Sequence, residues 1–225
     1  MTTFSIEIPP PSVFRPSRAS YRPLPAGTDL HRIHPDRFGP AQFNDAALGN
    51  ARFLPIRRPD GTVIPTIYAA GTFACAVGET VLRCPDIEPI DPLTGRPVLI
   101  AVRPHKWRGS AHSLIRTARD LRLVDLTTQG QRRLGIGRNA LLAGPTVTYP
   151  ATRAWAESIH AGCPDAQGLY YTSHQFGPDF AVVLFGDRAV LPFEATTYQR
   201  PLSGADCDRE IRALADSLNI LYEDL

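Results

Sequence analysis

The chain has 225 residues, 43% of them apolar, and a formal net charge of +2. That length and composition suit one large globular domain with a substantial core and argue against a disordered chain. The near-neutral charge argues against a dedicated nucleic-acid binder and against a protein held on a membrane by charge.

The basic side chains are all arginine except Lys106, and arginine offers planar, bidentate donors suited to phosphates and carboxylates. Cys75, Cys84, Cys163 and Cys207 form no Cys-x-x-Cys pair. They read as reduced, mostly buried thiols, not as a zinc site. No apolar run approaches ~18 residues and no basic-then-apolar leader opens the chain. The expectation is a cytoplasmic protein with no membrane span and no bound metal.

Residues 1–28 are rich in proline, arginine and serine. Pro9, Pro10, Pro11, Pro16, Pro23 and Pro25 predict an extended arm with neither helix nor ladder. Arg15, Arg18 and Arg22 on it read as solvated. A domain is expected over 29–225. Leu30 to His34 reads as a short strand with Arg32 on its polar face. Leu30 and Ile33 break strict alternation there, which suggests a bulge. Arg52-Phe-Leu-Pro-Ile follows, then a turn over Arg58 to Thr62 with proline at its first central position.

The stretch Pro65 to Arg83 organises the rest. It begins as a β-prone run holding Tyr68. Gly71 and Thr72 break that run, and Thr72 can cap a helix with its hydroxyl. The predicted helix covers 73–84, with Phe73, Ala76, Val77, Val81 and Cys84 on one face. Glu79 lies off that stripe, where it is either a solvated helix carboxylate or one that projects into a cleft.

Val98 to Val102 reads as a buried strand because its apolar character is continuous. Strands are also predicted over 113–116, 121–126, 168–173 and 180–185, with a further one at 189–193. Thr127 or Thr128 caps a short helix through Leu134. Tyr149 to His160 is a helix, with Pro150 in its first turn and Gly162 just past its end. Residues 206–221 read as a last helix whose Ile211, Leu214, Leu218 and Leu221 would dock on the domain or on another chain. This mixture predicts an α+β fold in a single domain, with central mixed or antiparallel sheets and a few flanking helices.

Seven segments then come in a telling order. They are Leu30-His-Arg-Ile-His, Arg52-Phe-Leu-Pro, Ile67-Tyr-Ala-Ala, Ala76-Val-Gly-Glu-Thr-Val, Leu123-Val-Asp-Leu, Arg153-Ala-Trp-Ala and Gly168-Leu-Tyr-Tyr-Thr-Ser. From about residue 29 to about 195 the chain resembles the RES-domain family, named for an arginine, a glutamate and a serine. The resemblance implies an ADP-ribosyltransferase-like fold and the toxin of a bacterial toxin–antitoxin pair. It implies that NAD⁺ is consumed as a substrate. It also implies an antitoxin partner that carries a helix-turn-helix DNA-binding domain. By the same resemblance Arg32 and Glu79 match the family arginine and glutamate, Arg52 the second arginine, and Tyr68 the pocket tyrosine. Ser173 matches the serine, with Ser158 and Ser203 also downstream.

The residue types suit that chemistry. Cleaving NAD⁺ breaks the bond between ribose C1′ and the nicotinamide nitrogen through an oxocarbenium-like transition state. A carboxylate such as Glu79 stabilises that charge. Arg32 and Arg52 suit a diphosphate, Tyr68 offers a stacking face, and Ser173 can donate to a phosphate or ribose oxygen. Each residue has an ordinary alternative: a salt bridge for Arg32, pairing with Asp60 or another surface acid for Arg52, core packing for Tyr68, a plain strand hydroxyl for Ser173. His31, His34 and His174 read as polar surface groups or as supports behind the site. No Gly-x-Gly-x-x-Gly follows a strand, which disfavours a hydride-transferring enzyme. The acceptor is left open between water, phosphate and a host protein, the last giving a mono-ADP-ribosyltransferase. A partner-binding module with no enzymatic activity is the reading from another class.

Overall fold

A computed structural model describes residues 7–83, 90–91, 93–96, 98, 100–137, 139–194 and 198–223. In chain order the elements are β1 (Tyr21–Leu24), β2 (Asp29–Pro35), β3 (Ile56–Arg57), β4 (Val63–Ile64), β5 (Thr66–Ala70) and α1 (Phe73–Thr80). Then come β6 (Ala101–Val102), β7 (Ser110–Arg116), β8 (Leu121–Asp125), α2 (Thr128–Arg133), α3 (Ala140–Ala143) and α4 (Tyr149–Gly162). β9 (Gly168–Thr172), β10 (Phe180–Phe185), β11 (Tyr198–Pro201), α5 (Ala205–Ser217) and β12 (Leu221–Tyr222) complete the fold.

Eight strands form one mixed sheet in the order β1-β8-β9-β10-β5-β2-β7-β11. Only β8 and β9 run parallel within it. A parallel pair needs a long crossover, and α2, α3 and α4 supply it. The expected α+β class holds.

The sheet buries a core on each side. On one face Phe53, Leu126, Leu141, Trp155, Ile159, Val183 and Phe185 pack together. On the other Leu30, Ile67, Ile115, Leu123, Val182 and Leu184 do so. A third cluster joins α1 to α5 through Val77, Val81, Cys207, Ile211 and Ala215. No described helix is long and apolar enough to cross a membrane.

Several elements differ from expectation. The arm is not free of a ladder: Tyr21–Leu24 pair with Val124–Leu121 at the edge of the sheet. Pro23 is tolerated there because an edge strand has one side that needs no N–H. Phe14 is buried against Trp155, ring centroids 5.9 Å apart, and Trp155 Nε1 donates to Pro9 O at 2.7 Å. β2 has no bulge, since its seven residues pair one-to-one with β7.

The run at 98–102 is not a buried strand. Among its described residues only Ala101–Val102 form a strand, paired with β12, and Val98 is exposed. Residues 97 and 99 lie outside the described set, as does Cys84. Residues 189–193 form no strand. Leu191 has a φ of 45°, which breaks extension, and only Phe193 bridges Thr117.

The predicted helix 73–84 ends at Thr80, with Thr72 capping it by accepting from Cys75 N at 3.1 Å. The last helix stops at Ser217, so Leu218 and Leu221 stay exposed. Its buried line is Cys207, Ile211 and Ala215, and it docks on this domain.

The described part of the arm therefore contributes to the core. Phe14→Ala is expected to lower unfolding free energy by about 3 kcal/mol, the scale for deleting a buried phenyl group. Urea denaturation measures it; a change within about 0.5 kcal/mol, as for a surface substitution, would mean that the arm lies loosely on the domain.

Candidate active site

The large sheet opens in its middle. β2 gives its outer edge to β7 over seven residue pairs, and β5 gives its outer edge to β10 over five. Between them β2 and β5 share a single pair, His31 with Ala70. Beyond that pair they separate, and the loop after β2 fills part of the wedge. Asn44 takes both free backbone groups of Thr66, at 2.8 and 3.0 Å. Arg32 Nη1 donates to Pro40 O at 2.7 Å and Gln42 O at 3.0 Å, tying the same loop down.

The wedge is a cleft of about 480 Å³, within the range of small-molecule sites. Arg32, Arg52, Tyr68 and Glu79 all line it. Four of the five residues singled out in the sequence therefore meet on one surface. The fifth, Ser173, lies just behind it, only 4% exposed.

Glu79 is brought there by α1. Its neighbour Gly78 faces the loop after β9: a Cβ on Gly78 would sit 3.0 Å from Phe176 Cβ. That close approach lets Ser173 Oγ donate to Glu79 Oε1 at 2.5 Å while accepting from Phe176 N at 2.8 Å. A serine hydroxyl has one proton. In this arrangement it is committed to Glu79 and is not free for a phosphate. The loop is anchored at its far end too. Ser173 N donates to Asp179 O at 2.7 Å, and Asp179 Oδ2 accepts from the Thr72 hydroxyl.

The rest of the lining is largely aromatic and cationic. Tyr68 belongs to it, and its hydroxyl accepts from Phe53 N at 2.7 Å. Burial pushes the Tyr68 phenol well up and keeps it protonated. Arg52 Nη1 donates to Leu141 O and Gly144 O, each at 3.1 Å. It does not pair with Asp60, whose carboxylate accepts from Thr62 N. The Arg52 guanidinium lies 5.1 Å from the Tyr149 ring centre and that of Arg83 5.5 Å, within cation–π range. Arg83 also donates to the Tyr149 hydroxyl. Burial lowers the pKa of Arg52 and holds Arg32 at about 10, so Arg32 remains cationic at neutral pH.

Two features point to a ligand. Arg32, Arg52 and Arg83 make no ion pair among the described residues, whereas arginines elsewhere pair with Asp29, Asp125, Asp187, Asp206, Asp208 and Glu210. Arg32 Nε is buried without a hydrogen-bond partner among the described residues, an arrangement that costs free energy unless a ligand or water completes it. No group of three or more His, Cys, Asp or Glu suited to a metal occurs among the described residues.

A family model for the RES domain matches residues 29–203. The chain belongs to the RES domain family. No curated protein matches it.

Sequence reasoning missed Arg83, Tyr149, Tyr171, Gln175 and His174 as cleft residues. Arg83 had a usable signal, four residues beyond Glu79. Tyr149 and Tyr171 had none, because a tyrosine at the start of a helix or inside a strand looks like core. His34 is not a surface group: it is 5% exposed, with Nε2 and Ser113 Oγ 2.7 Å apart.

Ser173→Ala removes the donor to Glu79 and strands the Phe176 N–H. It is expected to lower stability by about 1–3 kcal/mol, the cost of an unsatisfied buried group. Thermal or urea unfolding checks this; parent-like stability would mean that the loop does not depend on the Glu79 contact.

Proposed function

We propose that the cleft binds NAD⁺ and that the chain cleaves its nicotinamide–ribose bond as the toxin of a toxin–antitoxin pair. RES domains are associated with toxin–antitoxin systems and with chemistry on NAD⁺, and membership of that family supports the reading. The observation that carries it is the charge layout. A lone carboxylate, Glu79, shares a cleft with four guanidinia, those of Arg32, Arg37, Arg52 and Arg83, and none of the four forms an ion pair among the described residues. That combination suits a ligand that carries both an anionic diphosphate and a centre where positive charge develops.

In this reading the diphosphate takes the unpaired donors of Arg32, Arg52 and Arg83. Tyr68, Tyr149 and Tyr171 give flat apolar faces for a ring. Glu79 lies near C1′. As the C1′–N bond breaks, its electron pair moves to the nicotinamide nitrogen and cancels the pyridinium charge. Positive charge grows on C1′ and the ring oxygen, and Glu79 stabilises it. Water or phosphate then bonds to C1′ and releases a proton. Ser173 fixes the Glu79 rotamer and is a positioning residue, not a phosphate ligand. The antitoxin, with its own DNA-binding domain, would cover the cleft, where Leu48 stands 56% exposed at the rim.

The test is nicotinamide release from NAD⁺ by the purified chain, with water, phosphate or cell lysate supplying the acceptor. Label from NAD⁺ on a discrete protein would identify transfer. No release with any acceptor would overturn the reading. Glu79→Gln is expected to cut kcat by about 10²–10³-fold with binding largely kept, the scale of losing one electrostatic stabiliser. Arg32→Ala is expected to weaken NAD⁺ binding by about 1.5–3 kcal/mol, provided circular dichroism shows it folded, since Arg32 also ties the loop. A folded Glu79→Gln variant that turns over at the parent rate would remove Glu79 from the mechanism.

A further inference from the structure

We propose that His31 is a further ligand-contacting residue of the cleft, presenting a fixed Nε2–H donor to an oxygen acceptor of the bound dinucleotide. A chain of hydrogen bonds arriving from α5 sets its tautomer. The ligand class rests on the NAD⁺ reading above; the tautomer does not.

The chain begins at Glu210, which accepts from Arg200 Nη1 at 2.8 Å and Nη2 at 2.6 Å. Arg200 Nε lies 3.2 Å from His112 Nδ1. His112 Nε2 lies 2.9 Å from His31 Nδ1, and the two imidazole planes are within 5° of each other. A guanidinium only donates, so His112 Nδ1 is an acceptor. In a neutral imidazole the other nitrogen then carries the proton. His112 Nε2–H therefore donates to His31 Nδ1, and the His31 proton sits on Nε2. An imidazolium at either position would set N–H against N–H.

The surroundings agree. Burial, the two neighbouring histidines and Arg200 push His112 down to about 3, against the opposing charge of Glu210. Burial and Arg200 lower His31, against Asp29.

His31 lines the cleft. Its Nε2 has no partner among the described residues. Among the described residues the buried side-chain polar atoms without one are Ser20 Oγ and Arg32 Nε, so His31 Nε2 is accessible to solvent. The pair is held rigid by Phe73, whose ring centre is 4.8 Å from that of His112 and 6.5 Å from that of His31. The Arg200 guanidinium lies 5.0 Å from the same Phe73 ring. A neutral imidazole so fixed is a poor proton carrier and a good oriented donor. Its contribution belongs to binding.

Nitrogen-15 spectra of the histidine rings in the free chain near pH 7 are expected to show both His31 and His112 as the Nε2–H tautomer. NAD⁺ is expected to shift the His31 Nε2 resonance. His31 found as the Nδ1–H form or as imidazolium overturns the proposal whatever the activity. His31→Phe keeps a ring without a donor. It is expected to raise the KM for NAD⁺ about three- to tenfold, the range of one net hydrogen bond, with kcat changed less than about twofold. His31→Gln, which keeps an N–H, should recover part of that loss. Arg200→Met, remote from the cleft, should weaken the tautomer bias and raise KM in the same direction. Parent-like KM in His31→Phe, or a fall in kcat alone, overturns the contact. A parent chain that releases no nicotinamide breaks the NAD⁺ reading instead, and the ring spectra still decide the tautomer.

Discussion

The separation of β2 from β5 is the constraint on which the site depends. Strands inside a sheet are held by ladders on both edges, and an unpaired inner edge leaves backbone groups that need other partners. Here the outer edges are fully used, by β7 and β10, and the inner edges meet only at His31 and Ala70. The loop after β2 compensates through Asn44, and Arg32 holds that loop by two carbonyls. The result is a cleft walled in part by strands anchored in two cores. Such walls position side chains more tightly than loops do.

The carboxylate side is built from short-range contacts that reinforce one another. Thr72 starts α1 and also reaches Asp179; Gly78 lets the next loop come close; Ser173 grips Glu79. The far face of α1 packs on α5 through Val77 and Ile211. Glu79 therefore stands on a helix fixed at its start, along one face and at its functional side chain. The cationic side is less content. Its guanidinia rest on carbonyl oxygens and a tyrosine ring, with one buried nitrogen unpartnered. Local strain of this sort in a molecule otherwise rich in ion pairs is characteristic of a surface shaped for a ligand.

Much of this was legible in the sequence. The cap at Thr72, the helix from Tyr149, the short helix after Thr127 and the strands at 168–172 and 180–185 follow local rules that short segments obey alone. The ordered motifs placed Arg32, Arg52, Tyr68 and Glu79, and all four line one cleft. Where local rules misled, distant contacts had overridden them. Tyr21–Leu24 became a strand because β8 offered an edge. The described residues of the apolar run at 98–102 reach the core only in part, Ile100 and Val102 packing against the α1–α5 cluster, because β12 is the strand that pairs there.

Residue types, their spacing and their order were enough to determine the α+β class, the family and a candidate carboxylate with candidate arginines. These are properties of short segments, whose periodicity and capping are written locally. Only the tertiary structure decided that the sheet opens between β2 and β5, that Ser173 serves Glu79, and that Arg83 and Tyr149 complete the cationic wall. Only it made His112 and Arg200 set the proton of His31. Each of these depends on groups far apart in the chain: Ser173 and Glu79 are 94 residues apart, and Arg200 and His112 are 88 apart. Such pairings are fixed by how whole elements pack, and no local pattern encodes them.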